Sequence, residues 1–304
     1  MASPEPDRDH PEVCPARSER FGILNYGMFR TLLAALAAIL FALIPGIRAQ
    51  QTDEDEVWKS MFMRGLNAAS SNDYVKAEQI FQQALKEAER FGSDDARVGT
   101  TINTLGLVYR SEKKYGEAEA EYRRALMILE KAYGDDSIEV GNVNFNLATI
   151  MFDQGHQPSA MPFLQRALPV YEAMLGSDSL KTASVLCMIG DSFRISRDFK
   201  GAEDPLRRCA DVRESNGGMQ NSELADALQS LALTYQGEGK YALAEPRFTL
   251  AEKIREKTLG ITSPQLAQTM EDHAALLRQM GRDKDAARLE TMANAIRRNE
   301  KKGK

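Results

Sequence analysis

A period of 42 residues runs through most of this chain and dictates what it can fold into. Glycines fall at Gly92, Gly134, Gly176, Gly218 and Gly260, a constant step of 42. Small residues keep that step at Ala118, Ala160, Ala202, Ala244 and Ala286, and again at Ala125, Ala167, Cys209, Ala251 and Ala293. So do the pairs Leu105-Gly106, Leu147-Ala148, Ile189-Gly190 and Leu231-Ala232, followed by Tyr109, Met151, Phe193 and Tyr235. Such a period marks an array of equal supersecondary units, each unable to bury its apolar face alone and covered by its neighbours. An earlier unit joins one residue out of step, through Gly65, Ala77, Phe81 and Ala84.

Each unit reads as two helices. Asp95, Ser137, Ser179 and Ser263 stand where a first helix begins, and their side chains can accept an orphan backbone N–H there. Pro264 takes the favoured first helical position. A turn such as Gly155-His156-Gln157-Pro158 follows, and the second helix runs to the glycine column, where φ > 0 ends it cheaply. Ala and Leu are abundant and β-branched runs are scarce, which favours helix over strand. The small columns let helix backbones approach, with aromatics filling the space beside them. Two departures stand out. Pro169 lies inside a second helix, where it is expected to kink the chain. The segment 215–221 is irregular and is expected to be a joint.

The segments Ile102-Asn103-Thr104-Leu105-Gly106-Leu107-Val108-Tyr109 and Leu228-Gln229-Ser230-Leu231-Ala232-Leu233-Thr234-Tyr235 resemble the first helix of a tetratricopeptide repeat. Ala118 with Tyr122 and Ala125, and Ala244 with Phe248 and Ala251, resemble its second helix. The 42-residue step, Lys240-Tyr241-Ala242-Leu243-Ala244-Glu245-Pro246 and Leu259-Gly260 resemble the kinesin-light-chain subtype. The resemblance implies an all-α, right-handed superhelix of about six hairpins over residues 57–300, ending in a basic tail at 301–304. It also implies a protein-binding scaffold. The family's paired asparagines survive singly, at Asn103 and Asn146. In the last unit His273 replaces the column leucine and Glu290 the aromatic, as expected of a terminal cap with a wetted face.

The first fifty residues are a different polymer. Residues 1–27 are Pro- and charge-rich without apolar period, and are expected to be disordered or a mis-assigned leader. An apolar run, Thr31–Ile47, follows Arg30 and leads into Gln50-Gln51-Thr52-Asp53-Glu54. Read from Met28, residues 28–49 have the layout of a secretory signal, with cleavage expected after Ala49. The uninterrupted part, Leu32–Ile44, is shorter than the roughly 20 residues a spanning helix needs. The expectation is therefore an exported protein, periplasmic or secreted, with an acidic linker over 50–56. The alternative is a membrane anchor over residues 31–47.

No catalytic constellation is visible. His156 and His273, the histidines beyond the signal, have no metal-ligand spacing and read as solvated or structural. Asp94-Asp95 and Asp135-Asp136 lack the alternating ligands and closing glutamate of a calcium loop and read as caps. Cys209 stands in the alanine column as a small buried residue. Its pairing with Cys187 is possible but disfavoured, because their helix faces differ. No cofactor, metal or enzymatic activity is expected, and a net charge of −5 argues against nucleic acid.

Binding is expected on the first-helix face that lines the groove of such an array. Equal phase along the repeats selects Asn103, Leu107 and Arg110, then Phe145, Thr149 and Phe152, with the family asparagine Asn146 beside Phe145. Beyond them it selects Asp191 and Arg194, then Gln229, Leu233 and Gln236, and finally Arg278. Three arginines at alternate units suit carboxylates of an acidic peptide or protein segment, unless each is taken by a neighbouring Asp or Glu. Phe145 and Phe152, a heptad apart, are either an apolar anchor or core. The expected function is a non-enzymatic protein- or peptide-binding scaffold outside the cytoplasm. The alternative is an accessory subunit of an enzyme or transport complex, tethered to the membrane.

Overall fold

The computed structural model describes residues 45–217 and 220–302, and side chains over 55–217 and 220–299. The leader at 1–27 and the signal or anchor fall outside the described residues, except for the backbone from Pro45 onwards. Val57–Lys304 form one compact unit. No helix among the described residues is long and apolar enough to cross a membrane.

Twelve α-helices among the described residues pair into six consecutive hairpins. They are α1 (Pro45–Ser70) with α2 (Tyr74–Glu89), α3 (Ala96–Ser111) with α4 (Tyr115–Tyr133), and α5 (Ile138–Asp153) with α6 (Met161–Leu175). Then come α7 (Leu180–Ile195) with α8 (Phe199–Gly217), α9 (Ser222–Gly237) with α10 (Tyr241–Leu259), and α11 (Pro264–Gln279) with α12 (Asp283–Lys302). A 3-10 turn, Gln157–Ala160, precedes α6. Each helix packs mainly on its neighbours in sequence, which makes an all-α solenoid.

The local signals act as their chemistry requires. Ser179 accepts from the Thr182 amide at 3.1 Å, Ser263 from Leu266 at 3.1 Å, and Asp95 from Arg97 at 2.9 Å. At the far end of the hairpins Gly134, Gly176 and Gly260 have φ of 83°, 92° and 86°, a conformation that spares them the Cβ penalty of other residues. The small columns mark close approach. A Cβ added to Gly106 would lie 2.6 Å from the buried ring of Tyr122. Tyr122, Tyr171, Phe81 and Phe248 are the largest fully buried side chains, and they plug the hairpins at repeat-equivalent or neighbouring sites.

Residues 50–56, expected as an acidic linker, lie within α1, since Gln51 to Glu56 contain neither Pro nor Gly to stop the helix. Helix α6 has Pro169 inside it. One expectation needs correction. The last unit does not turn His273 to water. The residue is 6% exposed, and its ring stacks on Phe248 at 5.5 Å and meets Glu252 through Nδ1 at 2.9 Å.

Candidate peptide-binding face

The predicted residues lie on α3, α5, α7, α9 and α11, the first helices of successive hairpins. Adjacent first helices meet with a stagger of 43 residues. Asn146 Nδ2 donates to Asn103 Oδ1 at 2.9 Å, and Arg110 Nε donates to Asp153 Oδ2 at 2.5 Å. Gln229 Nε2 donates to Asp272 at the position equivalent to the asparagine pair. The two single asparagines therefore make one inter-repeat pair.

Phe145 and Phe152 are both half-buried and pack on the central core, and Phe145 sits 6.0 Å from Tyr171. They are core and surface at once. Leu107 is 38% exposed, Leu233 and Gln236 are half-buried, and the Thr149 hydroxyl is spent on the Phe145 carbonyl. The arginines do not form an open cationic stripe. Besides Arg110 with Asp153, Arg194 Nη2 pairs with Asp191 at 2.9 Å, and Arg278 Nη2 with Glu290 at 2.7 Å. Each candidate arginine thus already holds a carboxylate, which neutralises the stripe.

Sequence reading missed a second line of contacts. One position on the second helices α6, α8, α10 and α12 reaches its own first helix across 29 residues. Tyr171 donates to Asn142 at 2.8 Å, and Arg213 donates to Ser184 at 3.3 Å. Arg255 donates to Asp226 at 2.6 Å, and Arg297 donates to Gln268 at 3.1 Å. Arg255 is 5% exposed, and it also donates to the Gln265 carbonyl, Gln229 and Thr269. Burial pushes the Tyr171 hydroxyl up to about 12. The signal was present as a column, Tyr171, Arg213, Arg255 and Arg297, again at a step of 42.

A disulfide joins Cys187 on α7 to Cys209 on α8, with their Cα atoms 5.5 Å apart. This corrects the expectation that their helix faces differ too much.

Stacked helical hairpins with a polar-and-aromatic first-helix face define a solenoid scaffold of the protein-binding class. The tetratricopeptide repeat model matches residues 59–131, 97–173 and 223–299, and the chain belongs to that family. Its hairpins are similar in fold to those of solved kinesin-light-chain-like proteins. The disulfide-bearing fourth hairpin lies between the matched stretches. Among solved structures, BtubC (BKLC) from P. vanneervenii is 21% identical with a TM-score of 0.60, over 77% of this chain and 92% of that one. A putative kinesin light chain with nearly identical TPR-like repeats, from Podosopora anserina, is 15% identical with a TM-score of 0.57, over 68% of this chain and 97% of that one. YrrB, described as a TPR protein with an unusual peptide-binding site, is 15% identical with a TM-score of 0.50, over 70% of this chain and 92% of that one. At these identities the likeness establishes the fold. No curated protein matches the chain significantly.

Proposed function

We propose that this chain is a non-enzymatic scaffold that holds an extended or helical segment of another protein on its first-helix face, outside the cytoplasm. The observation that carries the reading is the half-buried pair Phe145 and Phe152 beside the Asn103–Asn146 amide pair, an apolar contact next to polar groups on one wall. The peptide-binding site described for YrrB, a protein of the same fold, supports it. An acidic partner would exchange its own carboxylates for Asp153, Asp191 and Glu290 on the three arginines. Exchanging one exposed ion pair for another gains about 0–1 kcal/mol, so the apolar contact dominates and acidity only tunes selection.

Two features support export. One is the apolar run between Arg30 and Ala49. The other is the Cys187–Cys209 bond, of a kind that persists in oxidising compartments and is rare in a reducing cytosol.

A photo-crosslinking residue placed at Thr149 or Leu233 tests the site in cells. It should capture a partner segment, while the same residue at the exposed Lys131 of a second helix should not. Capture from Lys131 alone would move the site off the first helices.

A further inference from the structure

The first-helix face changes character along the stack. On α5 its stripe is Asn142, Phe145, Thr149 and Phe152, half-buried and without charge. At twice the 42-residue step, the same stripe on α9 is Asp226, Gln229, Leu233 and Gln236, and Glu223 stands one turn before Asp226. The Asp226 and Glu223 side chains are 67% and 62% exposed, while Leu224, Ala225, Ala227 and Leu228 around them are buried.

A buried arginine stands behind each carboxylate. Arg255 Nη2 donates to Asp226 Oδ1 at 2.6 Å, and Arg213 Nη1 donates to Glu223 Oε2 at 2.7 Å, from side chains 6% and 9% exposed. The negative end of each pair therefore lies outermost. Each pair uses one carboxylate oxygen, and among the described residues Asp226 Oδ2 and Glu223 Oε1 accept no bond. A carboxylate offers about four lone-pair sites, so a cation arriving from outside adds to the pair and displaces nothing.

The charges on the flanking first helices, Lys181 apart, are already engaged. Arg194 holds Asp191, Arg278 holds Glu290, and Glu271 holds Arg297. Asp272 accepts from the Gln229 and Gln268 amides. Lys181, exposed at the start of α7, is the one opposing charge, and it lies 6.0 Å over the Tyr171 ring. An acidic segment would have to take an arginine from a carboxylate already in place, whereas a basic one finds Asp226 and Glu223 ready. The net charge of −5 attracts the same partner at longer range.

Resting on the first-helix reading above, we propose that the bound segment is a basic one: an apolar side chain seats on Phe145 and Phe152, and Lys or Arg side chains reach Asp226 and Glu223. The phenylalanines hold by burial, and the carboxylates select by charge. Neighbouring helix axes lie about 8–10 Å apart, so the two contacts are about 16–20 Å apart, or about five to six residues of extended chain.

In the test, the immobilised full chain selects from a phage-displayed library of random dodecapeptides. Enriched peptides should carry Lys or Arg about five to six residues from an aromatic or aliphatic side chain. Synthetic copies should lose about tenfold in affinity for a Glu223→Gln, Asp226→Asn double variant, which keeps an acceptor for each buried arginine. They should also weaken as salt rises from about 0.05 to about 0.5 M. Enrichment of acidic or uncharged peptides, no enrichment at all, or undiminished binding by the double variant would each overturn the proposal. A photo-crosslinker at Thr149 keeps the two readings apart. Acidic or uncharged peptides captured there would sink the basic partner and leave the first-helix face standing, whereas peptides captured only from Lys131 would sink both. Should the double variant fail to fold, the enriched sequences and their salt dependence on the natural chain still decide it.

Discussion

Arg255 crosses its hairpin to Asp226, Nη2 to Oδ1 at 2.6 Å, with a guanidinium 6% exposed and a carboxylate 67% exposed. The cation is buried and its counter-ion is not, so hydrogen bonds to Gln229, Thr269 and the Gln265 carbonyl share the task of replacing its water. Arg255→Ala should destabilise the chain by about 2–4 kcal/mol, through lost packing and orphaned acceptors. Arg255→Lys should recover only part of that, because an ammonium cannot span the same acceptors. Denaturant melts of the two variants check this, and indifference to both would demote the contact to decoration.

The disulfide predicts a redox-dependent stability. The bond spans 22 residues of chain. Closing a loop of that size is worth about 3 kcal/mol in the chain-entropy model. Adding a reductant, or substituting Cys187→Ser, should lower the unfolding free energy by a comparable amount, read from denaturant melts. Thiol counting under denaturing, non-reducing conditions gives the direct answer: the native protein should show no free thiol from Cys187 or Cys209.

Tyrosine burial sets an alkaline limit. Burial holds the Tyr171 hydroxyl up at about 12 and raises Tyr122 as well. The unfolded chain loses these protons near pH 10 and the folded chain later, so between about pH 10 and 12 the folded state binds more protons. Stability should therefore be intact below pH 10 and fall through that window. Tyr171→Phe should make the fall shallower, as read from melts alongside tyrosinate absorbance.

Two glycines should respond to alanine for different reasons. Gly134 sits at φ 83° with open space around a would-be Cβ, so its cost is backbone strain alone, about 1–2 kcal/mol. Gly106 is an ordinary helical residue whose new Cβ would strike Tyr122 at 2.6 Å. Its cost, about 1–3 kcal/mol, is overpacking. Tyr122→Leu, a residue found in the same column at Leu164 and Leu206, should relieve the second variant and leave the first unchanged in a double-mutant cycle.

The mature chain should begin near Gln50. Intact-mass measurement of the native product decides between a cleaved signal and a retained anchor, and a mass that includes Thr31–Ile47 would favour the anchor.

The repeat was legible because its determinants are local and recurrent. A cap at Ser179, a left-handed Gly176 and a small Ala202 each follow from one residue's backbone or volume. What escaped were relationships between columns. Cys209 was read as a small buried residue and its pairing with Cys187 as disfavoured, yet the two helices lie close enough to bond them. The pairing of each groove arginine was also illegible, since Asp153, Asp191 and Glu290 stand at unlike separations from their partners. His273 was taken as wetted because polarity in a terminal unit suggests exposure. Its partner Glu252, 21 residues earlier, turned the same polarity inward.

The Cys187–Cys209 bond lies within the fourth of six hairpins, and it binds a hairpin to itself without fastening it to a neighbour. In a nearest-neighbour array, opening begins at the ends and travels inward one hairpin at a time. A crosslinked hairpin near the middle is a stop for that travel from either side. Amide exchange should therefore be slowest around α7 and α8, so that the fastest-opening hairpins and the most persistent one belong to a single continuous stack.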